Sequence, residues 1–253
     1  MPDALASALA TPGLIWLLCT VLAAGLVRGF AGFGSALIIM PVASSVLDPV
    51  AAVLFLTIVE LLGPVPNVPS ALRQATLGDI ARLGLGAAVA LPLGLYGLSH
   101  MSHGGFGWLV SCVVLVLLAA LMAGWRYRGP MSPPLIFSTG ALGGFMGGAV
   151  GLAGPPVILL YMASVLPVAV IRANFLLYLL LIDILMVTAM TAMGLLVAGP
   201  IVVGALLIVP YMLANAAGAL LFNPEQERLF RAVAYAVIAA SALAGLPVWS
   251  ERG

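Results

Sequence analysis

The stretch GLVRGFAGFGSALIIMP at residues 25–41 has a second copy, GFMGGAVGLAGPPVILL, at residues 144–160 of the same 253-residue chain. A shift of 119 residues sets Gly25 on Gly144, Gly29 on Gly148 and Gly32 on Gly151. The exits match as well, since SVLDP at 45–49 lies on SVLP at 164–167 with one residue deleted. Three glycines alone could coincide in a glycine-rich chain; glycines followed by a matching exit are harder to dismiss. The expected architecture is therefore duplicated, with a first repeat over 1–128 and a second over 129–253.

The solvent for this architecture is set by charge. Only 7% of the residues are charged and 64% are hydrophobic, with mean hydropathy +1.25, whereas a water-facing domain carries roughly 25% charged residues. Lipid must cover most of the surface. A helical pass takes about 20 apolar residues, so the length allows roughly eight to ten helical segments and no further domain. Apolar segments run over 5–27, 34–46, 50–65, 80–98 and 106–125, then over 135–150, 155–166, 169–195, 201–222 and 229–248. Helices satisfy every backbone group internally, and the alternation of barrel strands is missing, so the fold class is an all-α integral membrane protein. Asp3 with no basic residue before the first apolar run predicts an uncleaved first membrane helix rather than a removed leader. A net charge of +1 gives no basic footprint for nucleic acid.

Segments 34–46 and 155–166 are too short to span, so each is expected to be the return arm of a re-entrant or broken helical hairpin that heads its repeat. All nine basic residues are arginines. With the short segments counted as returns, Arg73, Arg82, Arg126, Arg128, Arg172, Arg228 and Arg231 share one face, as positive charge on cytoplasmic connections requires. Five elements per half then make the two repeats inverted, an arrangement typical of secondary transporters, whose site lies at the interrupted helices.

Glycine-rich breaks leave backbone N–H groups available, and a helix amino terminus presents roughly half a positive charge. Gly29, Gly32, Gly34, Gly148, Gly151 and Gly154 are therefore candidates to hold an anion, together with Phe33 and Ser35 of the first motif. Close helix packing is the alternative for each glycine. Arg28 lies inside the first motif and needs a compensating partner, either an anionic substrate, an internal carboxylate or the interface. Its repeat partner is Gly147, so any charge contribution is one-sided. Glu60 and Asp183 interrupt apolar helices and are candidates for proton coupling, or for structural pairs with Arg28 or Arg172. Asn67, Asn174 and Asn215 suit either a cavity lining or helix-to-helix bonding.

Metal and redox chemistry find little support. His100 and His103 share a turn without nearby Cys, Asp or Glu, and Cys19 and Cys112 sit apart in apolar runs. No cofactor is expected. Tyr96, Trp108, Trp125, Tyr127 and Trp249 fall near helix ends, as interfacial aromatics do. The chain contains no lysine and hence no G-x-x-x-x-G-K-[ST] phosphate loop, so energy for transport would come from gradients.

The chain resembles the sulfite exporter TauE/SafE family of small integral membrane proteins. The resemblance is carried by GFAGFGSALIIMP and GFMGGAVGLAGPPVILL, by PNVPSALRQATLGDIARLGLGA after the first, and by IVPYMLANAAGALLFNPEQERLFR after the second. It implies a multi-pass transporter of the inner membrane for a small organic or sulfur-containing anion, such as sulfite or a sulfonate like sulfoacetate or a taurine-derived anion. The expected partners are that anion, the lipid bilayer and protons. A passive anion channel stays open as an alternative, and behind it an intramembrane enzyme or a scaffold; oligomeric state, a homo-oligomer included, is left open.

Overall fold

A computed structural model describes residues 11, 13–124, 131–161, 164, 166–221 and 226–248. Among these the regular structure is helical throughout, and no strand occurs. Eleven α-helices follow in order: α1 Leu14–Ala31, α2 Ser35–Val46, α3 Pro49–Leu61, α4 Val68–Gln74, α5 Leu77–Ser99, α6 His103–Met122, α7 Pro133–Val150, α8 Gly154–Tyr161, α9 Val168–Ala192, α10 Ala198–Leu221 and α11 Glu227–Ala244. Five of them, α1, α5, α6, α9 and α10, are long and apolar enough to cross a membrane. The expected start of the first segment, Asp3 with it, lies outside the described residues, as do Arg126, Arg128, Trp125, Tyr127 and Trp249.

One helix, α4, falls outside the ten expected segments. The apolar run 50–65 reads as one segment, yet α3 stops at Leu61, and a single 3-10 turn Val65–Asn67 precedes α4. Gly63, Pro64 and Pro66 cause the break, because proline removes backbone donors and clashes with the preceding turn. Pro69 is tolerated because it falls in the first turn of α4.

The helix ends repeat. Shifting residue numbers by 119 carries both ends of α1 onto those of α7, and the starts of α2 and α3 onto those of α8 and α9. With the same shift α5 and α10, and α6 and α11, agree within about five residues at each end.

Packing divides the chain into two compact units. One comprises residues 1–59, 101–122 and 197–253, and so holds α1, α2, most of α3, α6, α10 and α11. The other comprises residues 60–100 and 123–196, with α4, α5, α7, α8 and α9. Each unit is built on one close helix pair: α1 on α10 in the first, and α7 on α5 in the second.

Glycine makes both pairs. In the second unit a Cβ on Gly148 would meet the backbone of Leu91 and Leu95, one on Gly144 the backbone of Ala87, and one on Gly86 the backbone of Phe137. Gly140, Gly144 and Gly148 recur every fourth residue and line one stripe of α7. In the first unit Gly25 and Gly29 approach Tyr211, Asn215 and Gly218 in the same way. Membrane helices associate through such small-residue stripes, since lipid supplies no hydrophobic drive between them. The opposite face of α5 carries Leu85, Val89 and Leu93, all more than 60% exposed, which is the surface lipid would cover. Hydroxyls inside the apolar helices bond to the preceding turn, as Thr57 does to the Val53 carbonyl at 2.9 Å and Ser44 to that of Pro41 at 2.8 Å.

Candidate functional site

The break in the first unit follows from its glycines. α1 ends when Gly32 takes φ 79°, with its N–H on the Arg28 carbonyl at 2.8 Å. Gly34 takes φ 99° and begins α2 without offering a capping side chain. Both conformations favour a residue without a Cβ. Arg28, in the last turn of α1, reaches over this break and donates from Nη1 to Ser35 Oγ at 3.0 Å. Ser35 is 3% exposed and is the first residue of α2. The guanidinium thus stands beside the positive end of α2, and the two add rather than cancel. Phe33 is half-buried, Gly32 is exposed with open space where a side chain would be, and Phe30 packs its ring on Phe230 with centroids 5.1 Å apart.

The break in the second unit uses the same cap with different surroundings. Gly151 takes φ 73° and donates to the Gly147 carbonyl at 2.9 Å, the counterpart of the Gly32 to Arg28 bond. Here, however, the connection is buried: Leu152 and Ala153 are at most 5% exposed, and Tyr178 Oη donates to the Ala153 carbonyl at 3.4 Å. A Cβ on Gly154 would stand 3.2 Å from the Phe175 ring. Asn174, fully buried, accepts from the Thr76 N–H at 2.8 Å and donates to Tyr161 Oη at 3.2 Å. It ties α9, α8 and the start of α5 together. Tyr161 and Tyr178 were not singled out in the sequence, where a lone tyrosine in an apolar run gives no signal of its own.

The remaining candidates are spread out. Gly29 and Gly148 present their bare sides to a neighbouring helix, so the missing side chain at each serves helix contact. Glu60 is 9% exposed near the end of α3, and Asp183 is half-buried within α9. Asn67 is exposed and shares an open cleft of about 480 Å³ with Ser70, Gln74 and Arg172. Arg28, Gly32, Phe33, Gly34 and Ser35 belong to the first unit, and Asn67, Asn174, Gly151, Gly154 and Asp183 to the second. Tyr96 and Trp108 are exposed. His103 stands 3.6 Å from Asp48, and His100 contacts the Tyr96 carbonyl at 2.9 Å; no group of three or more potential metal ligands occurs among the described residues.

A family model described as Sulfite exporter TauE/SafE matches residues 17–245. The chain belongs to this family. Comparison with curated proteins and with solved structures finds no match to either. The TauE/SafE match spans both glycine breaks and both close helix pairs, and with five long apolar helices it makes the chain a multi-pass membrane protein of a transporter family.

Proposed function

We propose that this protein is a secondary transporter of the inner membrane that moves a small organic or sulfur-containing oxyanion, sulfite or a sulfonate, by alternating access. The observation that carries this is the first break, where Arg28 and the uncapped start of α2 converge on Ser35 next to the open Gly32. A planar guanidinium with a hydroxyl and a helix amino terminus suits a tetrahedral or pyramidal oxyanion. Arg28, Gly32, Phe33, Gly34 and Ser35 would face the anion. The equivalent glycine cap at Gly151 and the coincident helix ends support an inverted duplication, with α2 and α8 as return arms of re-entrant hairpins. Glu60 and Asp183 are the carboxylates through which protons would couple, because each is an ionisable group set within an otherwise apolar helix.

The test is uptake of radiolabelled sulfite, taurine and sulfoacetate into liposomes holding the purified protein, with and without a pH gradient, beside an Arg28→Ala variant. Saturable uptake that a pH gradient accelerates and that Arg28→Ala abolishes is expected. Flux that does not saturate and ignores the pH gradient would establish a channel instead, and no flux of any anion would refute the reading.

A further inference from the structure

The cleft at Asn67 gathers four polar side chains, one of them an arginine. It lies wholly within the second unit, between α4 and the first turns of α9, and is lined by Asn67, Ser70, Gln74, Arg172 and three small or apolar residues of α9 over Ala71. No carboxylate lines it. Arg172 is exposed, makes no ion pair among the described residues, and sits near the amino terminus of α9, where the helix dipole adds positive potential. Gln74 Nε2 donates to Ser70 Oγ at 3.2 Å, which leaves the Ser70 hydroxyl proton to be donated elsewhere. The floor is firm, because Ala71, Ala173 and Leu177 form a buried apolar cluster beneath it and Asn174 is pinned on both sides.

We propose that this cleft is an oxyanion-binding site distinct from the Arg28 break, with Arg172 as the charged clamp and Asn67, Ser70 and Gln74 as neutral donors. A guanidinium that lacks a protein carboxylate keeps its full fork for an exogenous acceptor. At about 480 Å³ the cleft has room for sulfate or for the phosphate of a lipid headgroup, and these share the chemistry that the lining recognises.

The experiment uses full-length protein in phosphatidylcholine nanodiscs titrated calorimetrically with sodium sulfate, and native mass spectrometry of protein prepared with phosphatidylglycerol. Arg172→Gln should weaken the bound oxyanion about tenfold or more, the loss typical of a charge-assisted bond, and Gln74→Ala and Asn67→Ala by a smaller factor. The two alanine variants are at exposed positions and keep the test valid should Arg172→Gln fold poorly. Sulfate binding that falls in these variants while surviving in Arg28→Ala assigns a free oxyanion. Phosphatidylglycerol retained by the wild type and lost from Arg172→Gln, without sulfate binding, assigns a headgroup. The site is overturned if neither ligand binds, if the cleft variants bind as the wild type does, or if binding disappears in Arg28→Ala instead.

Discussion

Substituting single glycines by alanine separates the structural roles glycine plays here. A Cβ on Gly148 would lie 2.8 Å from the Leu95 nitrogen and nearer still to the Leu91 carbonyl, where ordinary contact begins at 3.4 Å. Both neighbours are backbone, so no rotamer change relieves the clash, and α5 and α7 have to part by roughly 1 Å. A gap of that size forfeits about a quarter to a half of the dispersion energy at each affected contact. Overpacking in a close-packed site costs about 1–3 kcal/mol, and the rigidity of the obstacle puts Gly148→Ala at the upper end. At about 2–4 °C per kcal/mol for a chain of this size, the melting midpoint should fall by about 5–10 °C. Gly32→Ala meets no atom within 4 Å but must hold φ 79°, a conformation that costs an L-residue about 1–2 kcal/mol. Gly97, within α5 and also clear of neighbours, should gain about 0.5–1 kcal/mol on becoming alanine. Thermal unfolding of the three variants in detergent, followed by the monodisperse fraction on size exclusion, should rank Gly148→Ala lowest and Gly97→Ala highest. A Gly148→Ala protein that melts with Gly97→Ala would refute the close seam.

Asn174→Ala removes the acceptor of the part-buried Thr76 N–H and the partner of the buried Tyr161 hydroxyl and should cost about 1–3 kcal/mol in the same assay, while Tyr161→Phe, which loses one 3.2 Å bond, should cost about 1 kcal/mol. If the proposed coupling is correct, Glu60→Gln or Asp183→Asn will abolish acceleration of uptake by a pH gradient yet preserve anion exchange across the liposome membrane; unchanged acceleration in both variants would remove protons from the mechanism. Single cysteines placed beside Arg73 and Arg228 should react with an impermeant maleimide from the same side of the membrane. Labelling from opposite sides would exclude the hairpin arrangement.

What the sequence made legible was what recurs or interrupts. The apolar run 135–150 stops where α7 stops, at the left-handed cap Gly151, whereas the run 5–27 falls four residues short of the end of α1, which continues through Arg28 and Gly29 to the same cap at Gly32. Apolar run length found the long helices but ran through the α3 break, since hydropathy does not register the Gly-Pro-Val-Pro punctuation at 63–66. The division of labour among the glycines was hidden. Gly29 and Gly32 are three residues apart in one motif, yet the first faces a helix and the second faces open space, and only the neighbours distinguish them. Arg172 read as a marker of topology because Asn67, its companion in the cleft, is about a hundred residues away in the chain.

The pairing of α1 with α10 and of α5 with α7 bears on how the chain is assembled during synthesis. When α1 leaves the ribosome, its glycine stripe has no counterpart until α10 is made, and the stripe of α5 waits for α7. A half-chain inserted alone would hold a bare stripe on each of two helices, facing lipid. Two such halves would complete each other only by trading helices, so either half on its own would be an obligate partner-seeker. Co-expressed halves, cut in the connection between α6 and α7, should therefore reassemble by exchange, and neither should accumulate without the other.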